Sequence, residues 1–435
     1  MGREDFIMKV TGIIAEYNPF HKGHKYQIDY CKKKLNSDYV IVAMSGDYVQ
    51  RGTPALLPKH VRAEMALRCG ADLVLEMPVS VSTASAEAFA MGGVSMLDGL
   101  HIVDSLCFGS EYGEVSALME LAEILVEEPE EYRRLLKESL SNGLSFPSAR
   151  CQALTEYFKN PRNFTGDDFD GVLTPLLNQI VQILNSPNNI LGIEYCKALL
   201  RLKSSIKPVT LKRQGMGYHE TLADTATDNI PFASASAIRE LLKAALTPET
   251  ISRITAQIPD EISSLLASSL QRNEFLTEDV LDPLLSYCIL KENASGLSTY
   301  LDVSRDLAER IVNRSNEING FLQAASLLKT KELTQTRIQR ALLHIILGIR
   351  EVPATVPYAR VLGFRKESSA LLKEIKDSSS IPLITKLADA DSLLSEAGRV
   401  LLSETTFASN IYEKLLCQKS GRNFVHEYQK QIVIL

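Results

Sequence analysis

Apolar residues in the first part of the chain come in short unbroken runs: VTGIIAEY (10–17), YVIVAMSG (39–46), DLVLEMPV (72–79) and SLCFGSE (105–111). Between them lie GHKYQIDYCKKKL, KHVRAEMALRCG and SAEAFAMGGVSMLDGL, each long enough for a helix and apolar at three-and-four spacing. Short, continuously apolar strands separated by helices predict a parallel sheet covered on both faces. PVTLKR (208–213) reads as a further strand, reached after a helical insertion over about 114–200. After about residue 235 the pattern changes to helical stripes with short connections, among them SAIRELLKAAL, DEISSLLASSL, SRDLAERIVNRSN and QTRIQRALLHIILGI. The expected architecture is therefore an α/β doubly wound parallel sheet over residues 8–240, followed by an all-α domain over 241–435.

Length and composition agree with this division. A chain of 435 residues exceeds one ordinary core, and 45% apolar residues fit a globular protein. No apolar run reaches the roughly 20 residues that span a bilayer, and MGREDFIMKV lacks the apolar centre of a signal peptide, so the expected location is the cytoplasm, away from membranes. The seven cysteines are scattered with no CxxC pair, which speaks against a disulfide framework or a zinc site. The net charge of -6 gives no general affinity for nucleic acid, but it conceals a local patch. KALLRLKSSIKPVTLKR (197–213), which includes Lys203 and Lys207, carries six cations and no acid. In contrast, VEEPEEYRRLLKESL (126–140) mixes both signs at helical spacing and points to no function.

The chemistry is concentrated in the turn after the first strand. Ligands of doubly wound sheets bind beyond the carboxyl ends of the strands, and that turn is the usual phosphate position. Here it reads HKGH, with His21 and His24 flanking Gly23 at the start of a helix whose amide groups and dipole favour an anion. Neither GxGxxG after the first strand nor GxxxxGK[ST] anywhere is present. Imidazoles at this spacing suit donation to the phosphate oxygens as pyrophosphate is displaced. A second element, FASASAIRELL (232–242), sets Ser234 and Ser236 ahead of Arg239. It reads either as a serine-capped helix or as a second phosphate clamp.

With these two elements the chain resembles the HIGH superfamily of nucleotidyltransferases, although alanines stand in SASAIR where that superfamily commonly carries hydroxyls. More narrowly, GIIAEYNPFHKGHKYQI, MSGDYVQRGTPAL, FGSEYG, PNNILGIEY and YARVLGFRK resemble the bacterial tRNA(Met) cytidine acetate ligase family, over residues 12 to about 366. The resemblance implies an ATP-dependent ligase that forms acetyl-adenylate from ATP and acetate and acetylates N4 of the wobble cytidine in elongator tRNA(Met). It places ATP on Ile14, Ala15, Glu16, Tyr17, Asn18, Pro19, Phe20, His21, Lys22, Gly23, His24, Lys25, Tyr26 and Gln27, on Gly109, on Asn188 or Asn189, and on Arg213. Met8 matches the usual start of such chains. His21 and His24 are then the catalytic pair, Mg²⁺ accompanies the departing pyrophosphate, and Ser234, Ser236 and Arg239 join the ATP site. Asp47 and Glu16 are the candidate bases for the cytidine amine. A tRNA substrate makes Lys203, Lys207, Arg337, Arg340, Arg360, Arg365 and Lys366 the expected backbone contacts. Two rival readings are a small-molecule adenylyltransferase and a noncatalytic RNA-binding protein regulated by nucleotide. Oligomeric state is not readable from the chain.

Overall fold

The computed structural model describes residues 8–144, 146–160, 180–213, 234–243 and 247–435. Its centre is the expected parallel sheet: β1 (Val10–Ala15), β2 (Tyr39–Ser45), β5 (Leu73–Met77), β6 (Ser105–Ser110) and β7 (Lys207–Lys212), with β3 (Tyr48–Val49) and β4 (Thr53–Pro54) forming a separate short hairpin after β2. The five parallel strands stand in the order β5-β2-β1-β6-β7. Chain direction across the sheet therefore reverses at β1, and a crevice opens there beyond the carboxyl ends of β1 and β6. Alternation along the strands divides the apolar side chains between two cores. Ile14, Ile41, Ala43 and Leu75 pack with helices 86–98, 115–127 and 187–202, whereas Ile13, Val40, Val42 and Met44 pack with α1 (Lys22–Lys33), α2 (Lys59–Arg68) and helix 260–271.

The region after residue 241 is predominantly helical, with its own core among helices 282–291, 305–313, 321–328, 335–347 and 396–420. It is not all-α, however. β8 (Ala359–Phe364) adds antiparallel to β5, and β9 (Leu383–Ile384) and β10 (Val433–Ile434) pair with β8. All residues of β8 except Phe364 are buried, so this edge of the doubly wound sheet is covered by chain from the opposite terminus. Among the described residues no helix is long and apolar enough to cross a membrane.

A charge cluster with a fully buried centre at Lys59, Glu76 and Glu427 fastens the carboxy-terminal segment. The Lys59 ammonium, at the start of α2, lies 2.6 Å from Glu76 of β5, 2.6 Å from Glu427 and 3.6 Å from Asp47, and donates to the Ser409 hydroxyl at 2.7 Å. Arg360 of β8 bridges Glu76 and Glu427, each at 2.6 Å. Lys430 and Arg422 meet Glu413 of the long helix 396–420 at 2.9 and 2.7 Å. Cations and carboxylates balance, which is the condition for keeping such a cluster out of water. Arg360, expected at a tRNA backbone, is 5% exposed and committed to these two carboxylates, so it has no surface to offer.

Candidate active site

A cleft of about 520 Å³ opens at the carboxyl ends of β1, β6 and β7. Its lining includes Ile14, Ala15, Glu16, Tyr17, Asn18, His21, Gly23, His24, Tyr26 and Gln27 from the first strand, turn and helix. Gly109, Asn188, Arg213, Ser234, Ser236 and Arg239 line it too, so most of the residues expected around ATP are gathered from five separate stretches of chain. Pro19, Phe20, Lys22 and Lys25 are absent from the lining: Phe20 is buried behind the turn, the Lys22 ammonium caps the Ala256 carbonyl at 2.7 Å, and Lys25 pairs with Glu261 at 2.9 Å.

The turn itself differs from the simple picture of free helix amides. His21 is the N-cap of α1, and its Nδ1 accepts from the Gly23 N–H at 3.0 Å. His24 answers three residues on, its Nδ1 accepting from the His21 N–H at 3.2 Å. The two histidines thus form a reciprocal capping box, and the Lys22 N–H is taken by the Gln257 carbonyl at 2.9 Å. The first-turn amides expected at a phosphate are therefore used within the protein. An Nδ1 that accepts cannot carry the proton, so in the neutral ring Nε2 must carry it. Each ring consequently lines the cleft with one Nε2–H donor to give.

Packing fixes the two rings. They stack on each other at a centroid distance of 3.7 Å, and the Tyr17 and Phe20 rings lie 4.8 and 5.4 Å from His24. Tyr17 holds a left-handed backbone, φ 49°, which turns the chain sharply off the end of β1. Burial, together with the Arg213 and Arg239 guanidiniums, lowers His21 to about 3, and burial with His21 and Arg213 lowers His24 well below the ordinary imidazole value. Both histidines are therefore neutral donors at pH 7, and the arginines supply the positive charge. Expected result: the ring carbons of isotope-labelled His21 and His24 do not titrate between pH 5.5 and 8, and their nitrogen shifts report the Nε2–H tautomer. Titration near pH 6.5 in the unliganded protein would contradict this assignment. The sign for stability follows. Because the folded value lies below the unfolded one of about 6.5, the stability linked to His21 is complete above that pH and is lost as pH falls toward about 3.

The second signature caps its helix and brings its serines and arginine to the cleft. Ser234 Oγ accepts the Ala237 N–H at 3.2 Å and caps helix Ala235–Lys243, while Ser236 Oγ accepts from Arg239 and from Arg51, each at 3.1 Å. Arg239 also donates to the Asn18 carbonyl at 2.5 Å, tying the two signatures together. Gly109, the penultimate residue of β6, lies against Arg213: a Cβ there would come within 3.3 Å of Arg213 Cγ. Of the two asparagines, Asn188 lines the cleft and donates to Glu111 at 2.5 Å. Asn189 is 2% exposed, lies outside the cleft lining, accepts the Tyr112 N–H and donates its own N–H to Glu111, which positions Glu111 and the β6–helix 187–202 junction.

Several residues of the site are not among those expected around ATP. Gln50 and Arg51 reach the cleft from the β3–β4 hairpin, and Phe89, Phe108, Leu191 and Tyr195 build its apolar wall. Arg62 is fully buried and holds the strand ends, donating to the carbonyls of Glu16 at 2.6 Å, Ser45 at 3.0 Å, Leu57 at 2.9 Å and Gly46. Asp47, one of the two candidate bases, is 4% exposed, accepts the Lys59 N–H and faces the Lys59 ammonium, so it belongs to the charge cluster and not to the cleft. Glu16 remains at the cleft.

The expected tRNA contacts separate by position. Helix 335–347 brings Thr336 and Arg340 to the cleft, Arg340 pairing with Asp302 at 3.2 Å, and Arg337 is exposed beside them. Lys203 and Lys207 precede or start β7, and Arg365 and Lys366 follow antiparallel β8, so all four lie at the amino ends of the parallel strands, opposite the cleft. Gly52 (φ 74°) makes the approach of helix 335–347 possible, since a Cβ there would lie 2.4 Å from the Arg340 nitrogen. Gly52→Ala should lower stability by roughly 2 kcal/mol, from the positive φ and the clash together, and displace Arg51; urea unfolding checks the first and nucleotide affinity the second.

Comparison with known proteins places this geometry. The family model described as HIGH Nucleotidyl Transferase matches residues 8–427. The tRNA(Met) cytidine acetate ligase of Acetivibrio thermocellus is 38% identical over 98% of this chain and 100% of its own. The one from Clostridium kluyveri is 41% identical over 87% of this chain and 90% of its own. The crystal structure of Thermotoga maritima TmcAL bound with alpha-thio ATP superposes with a TM-score of 0.85 at 28% identity, covering 98% of this chain and 100% of that one. With the HKGH turn, the SASAIR helix and the whole-length match in agreement, the chain belongs to the tRNA(Met) cytidine acetate ligase family of HIGH nucleotidyltransferases.

Proposed function

We propose that the protein activates acetate with ATP and transfers the acetyl group to N4 of the wobble cytidine of elongator tRNA(Met), yielding N4-acetylcytidine, AMP and pyrophosphate in the cytoplasm. The observation that carries this reading is the pair of neutral, stacked imidazoles, each left with an Nε2–H at a cleft that Arg51, Arg213 and Arg239 make positive. Neutral donors beside fixed cations suit a reaction in which negative charge moves onto a leaving pyrophosphate. Acetate oxygen attacks the α-phosphorus, the bond to the β-phosphate bridging oxygen breaks, and His21 and His24 donate to the phosphate oxygens without giving up their protons. In the second step the cytosine amine attacks the acetyl carbonyl and AMP leaves. That amine is a weak nucleophile, so holding it against the mixed anhydride supplies much of the rate, and the base must leave its stack to get there.

Glu16 is the carboxylate lining the cleft among the described residues, and no cluster of three or more His, Cys, Asp or Glu is placed there to cage a metal ion. Such a donor set fits Mg²⁺ that arrives already held by the triphosphate oxygens rather than by protein carboxylates, and its charge would offset that of the phosphates. For tRNA, Arg337 and the cleft-facing Arg340 are the contacts closest to the reaction, and residues 241–435 would carry the body of the RNA. The test is exchange of labelled pyrophosphate into ATP. Exchange that depends on acetate supports the first step, and labelled acetate entering tRNA(Met) supports the second. Exchange with a nucleotide or another small acceptor in place of acetate would favour a small-molecule adenylyltransferase.

A further inference from the structure

Glu16 leaves the end of β1 and Gln50 sits in the hairpin after β2, yet the two form one unit, since the Gln50 N–H donates to Glu16 Oε1 at 2.8 Å. Both line the cleft. The Gln50 carboxamide nitrogen is buried and has no hydrogen-bond partner among the described residues. An unmet donor of this kind is costly, and it is the sort of group a ligand satisfies. An acceptor beside an unsatisfied donor is complementary to a base edge that carries an amine next to a ring nitrogen acceptor.

We propose that Glu16 and Gln50 read the Watson–Crick edge of the acceptor cytosine, Glu16 accepting from the N4 amine and Gln50 donating to N3. This rests on the acetate-transfer reading above. Position in the sheet assigns the pair to the acceptor base and not to the adenine of ATP. Gly109, Asn188 and Arg213 lie on the β6–β7 side of β1, where the crevice takes a nucleotide. Gln50 lies in the hairpin after β2, whose Gly52 packs against Arg340 of helix 335–347, and Glu16 is joined to it from the end of β1. RNA entering along that helix reaches this pair first. Uracil would set its O4 against the Glu16 carboxylate and its N3–H against the Gln50 donor, two repulsive contacts that reject it. The pairing also gives Glu16 a chemical task. As N4 bonds to the acetyl carbon and the bond to the AMP phosphate oxygen breaks, the N4 proton passes to the Glu16 carboxylate, and AMP departs as the anion.

Gln50→Met removes the carboxamide at similar size, and Gln50→Glu turns the donor into an acceptor. Thermal unfolding checks that both variants fold, and acetate-dependent pyrophosphate exchange without tRNA is measured beside acetyl transfer, with the larger loss expected in transfer. The kcat/KM for acetyl transfer to tRNA(Met) should fall roughly 10- to 100-fold. Discrimination between tRNA carrying a wobble cytidine and a competitor carrying uridine should shrink by a similar factor. Equal losses in exchange and transfer would place the pair on ATP or acetate and overturn the proposal, as would transfer left unchanged. If the unmodified protein shows no acetate-dependent exchange, the acetate reading itself fails before the variants are compared.

Discussion

Replacing His21 by alanine is expected to lower acetate-dependent pyrophosphate exchange by roughly 10²- to 10³-fold, the usual cost of losing one oriented donor to developing charge. Alanine also deletes the N-cap of α1, worth about 1 kcal/mol, so a drop in activity alone would not separate chemistry from folding. His21→Asn does separate them. Asparagine is a good N-cap and accepts the Gly23 N–H, but it has no second nitrogen at the reach of Nε2. The expected pattern is near-normal thermal stability for His21→Asn with exchange still down roughly 10²-fold. Exchange restored by asparagine would assign His21 a purely structural role and remove the main support for the proposed chemistry. His24→Ala should show a comparable loss in exchange, because its ring, held between His21 and Tyr17, presents the second donor. The two losses should not add: each ring orients the other through the capping box, so the double variant should lie close to the worse single one.

The doubly wound sheet was readable because its strands are buried on both faces and so appear as unbroken apolar runs. Ile13 and Ile14 face opposite cores and are both apolar. The HKGH turn was readable because it lies in the short connection between an apolar strand and an amphipathic helix. What escaped detection depends on partners far away in the chain. β8 spans six residues and contains an arginine, so it reads as a basic surface segment until Arg360 is seen opposite Glu76, 284 positions earlier. Lys59 and Arg62 likewise look like the solvated face of a helix, yet both are fully buried because carboxylates and strand-end carbonyls converge on them. Gln50 and Arg51 sit in a hairpin of two-residue strands, too short for any periodicity to reveal. That the α1 amides are already partnered was not legible for a local reason: the histidines that mark the motif also cap the helix, and the Gln257 carbonyl, far along the chain, takes the Lys22 amide.

Lys59→Met should be the most destabilising single change outside the apolar cores, by about 3–5 kcal/mol, as for removal of one partner from a buried ion cluster. Methionine fills similar volume, so the loss is electrostatic: Glu76, Glu427 and Asp47 would lose their central cation and keep only the flanking Arg360, Lys430 and Arg62. Burial works to raise the Glu427 carboxyl, but the nearby Lys59 and Arg360 charges outweigh it and hold it well below the usual carboxylate range. A depressed folded value means that the linked stability is complete above the unfolded value of about 4.3 and is lost as pH falls below it. The unmodified protein should therefore lose stability steeply below about pH 4.3, and Lys59→Met, with Glu427 less depressed, should show a shallower slope there. Urea unfolding at a series of pH values measures both effects together. A cost under about 1 kcal/mol at pH 7, or an unchanged acid slope, would mean that the cluster is not what fastens the carboxy-terminal strands to β5. Because Glu427 and Arg360 belong to that fastening, the first sign of failure should be faster amide exchange in β8 and β10, ahead of the HKGH turn.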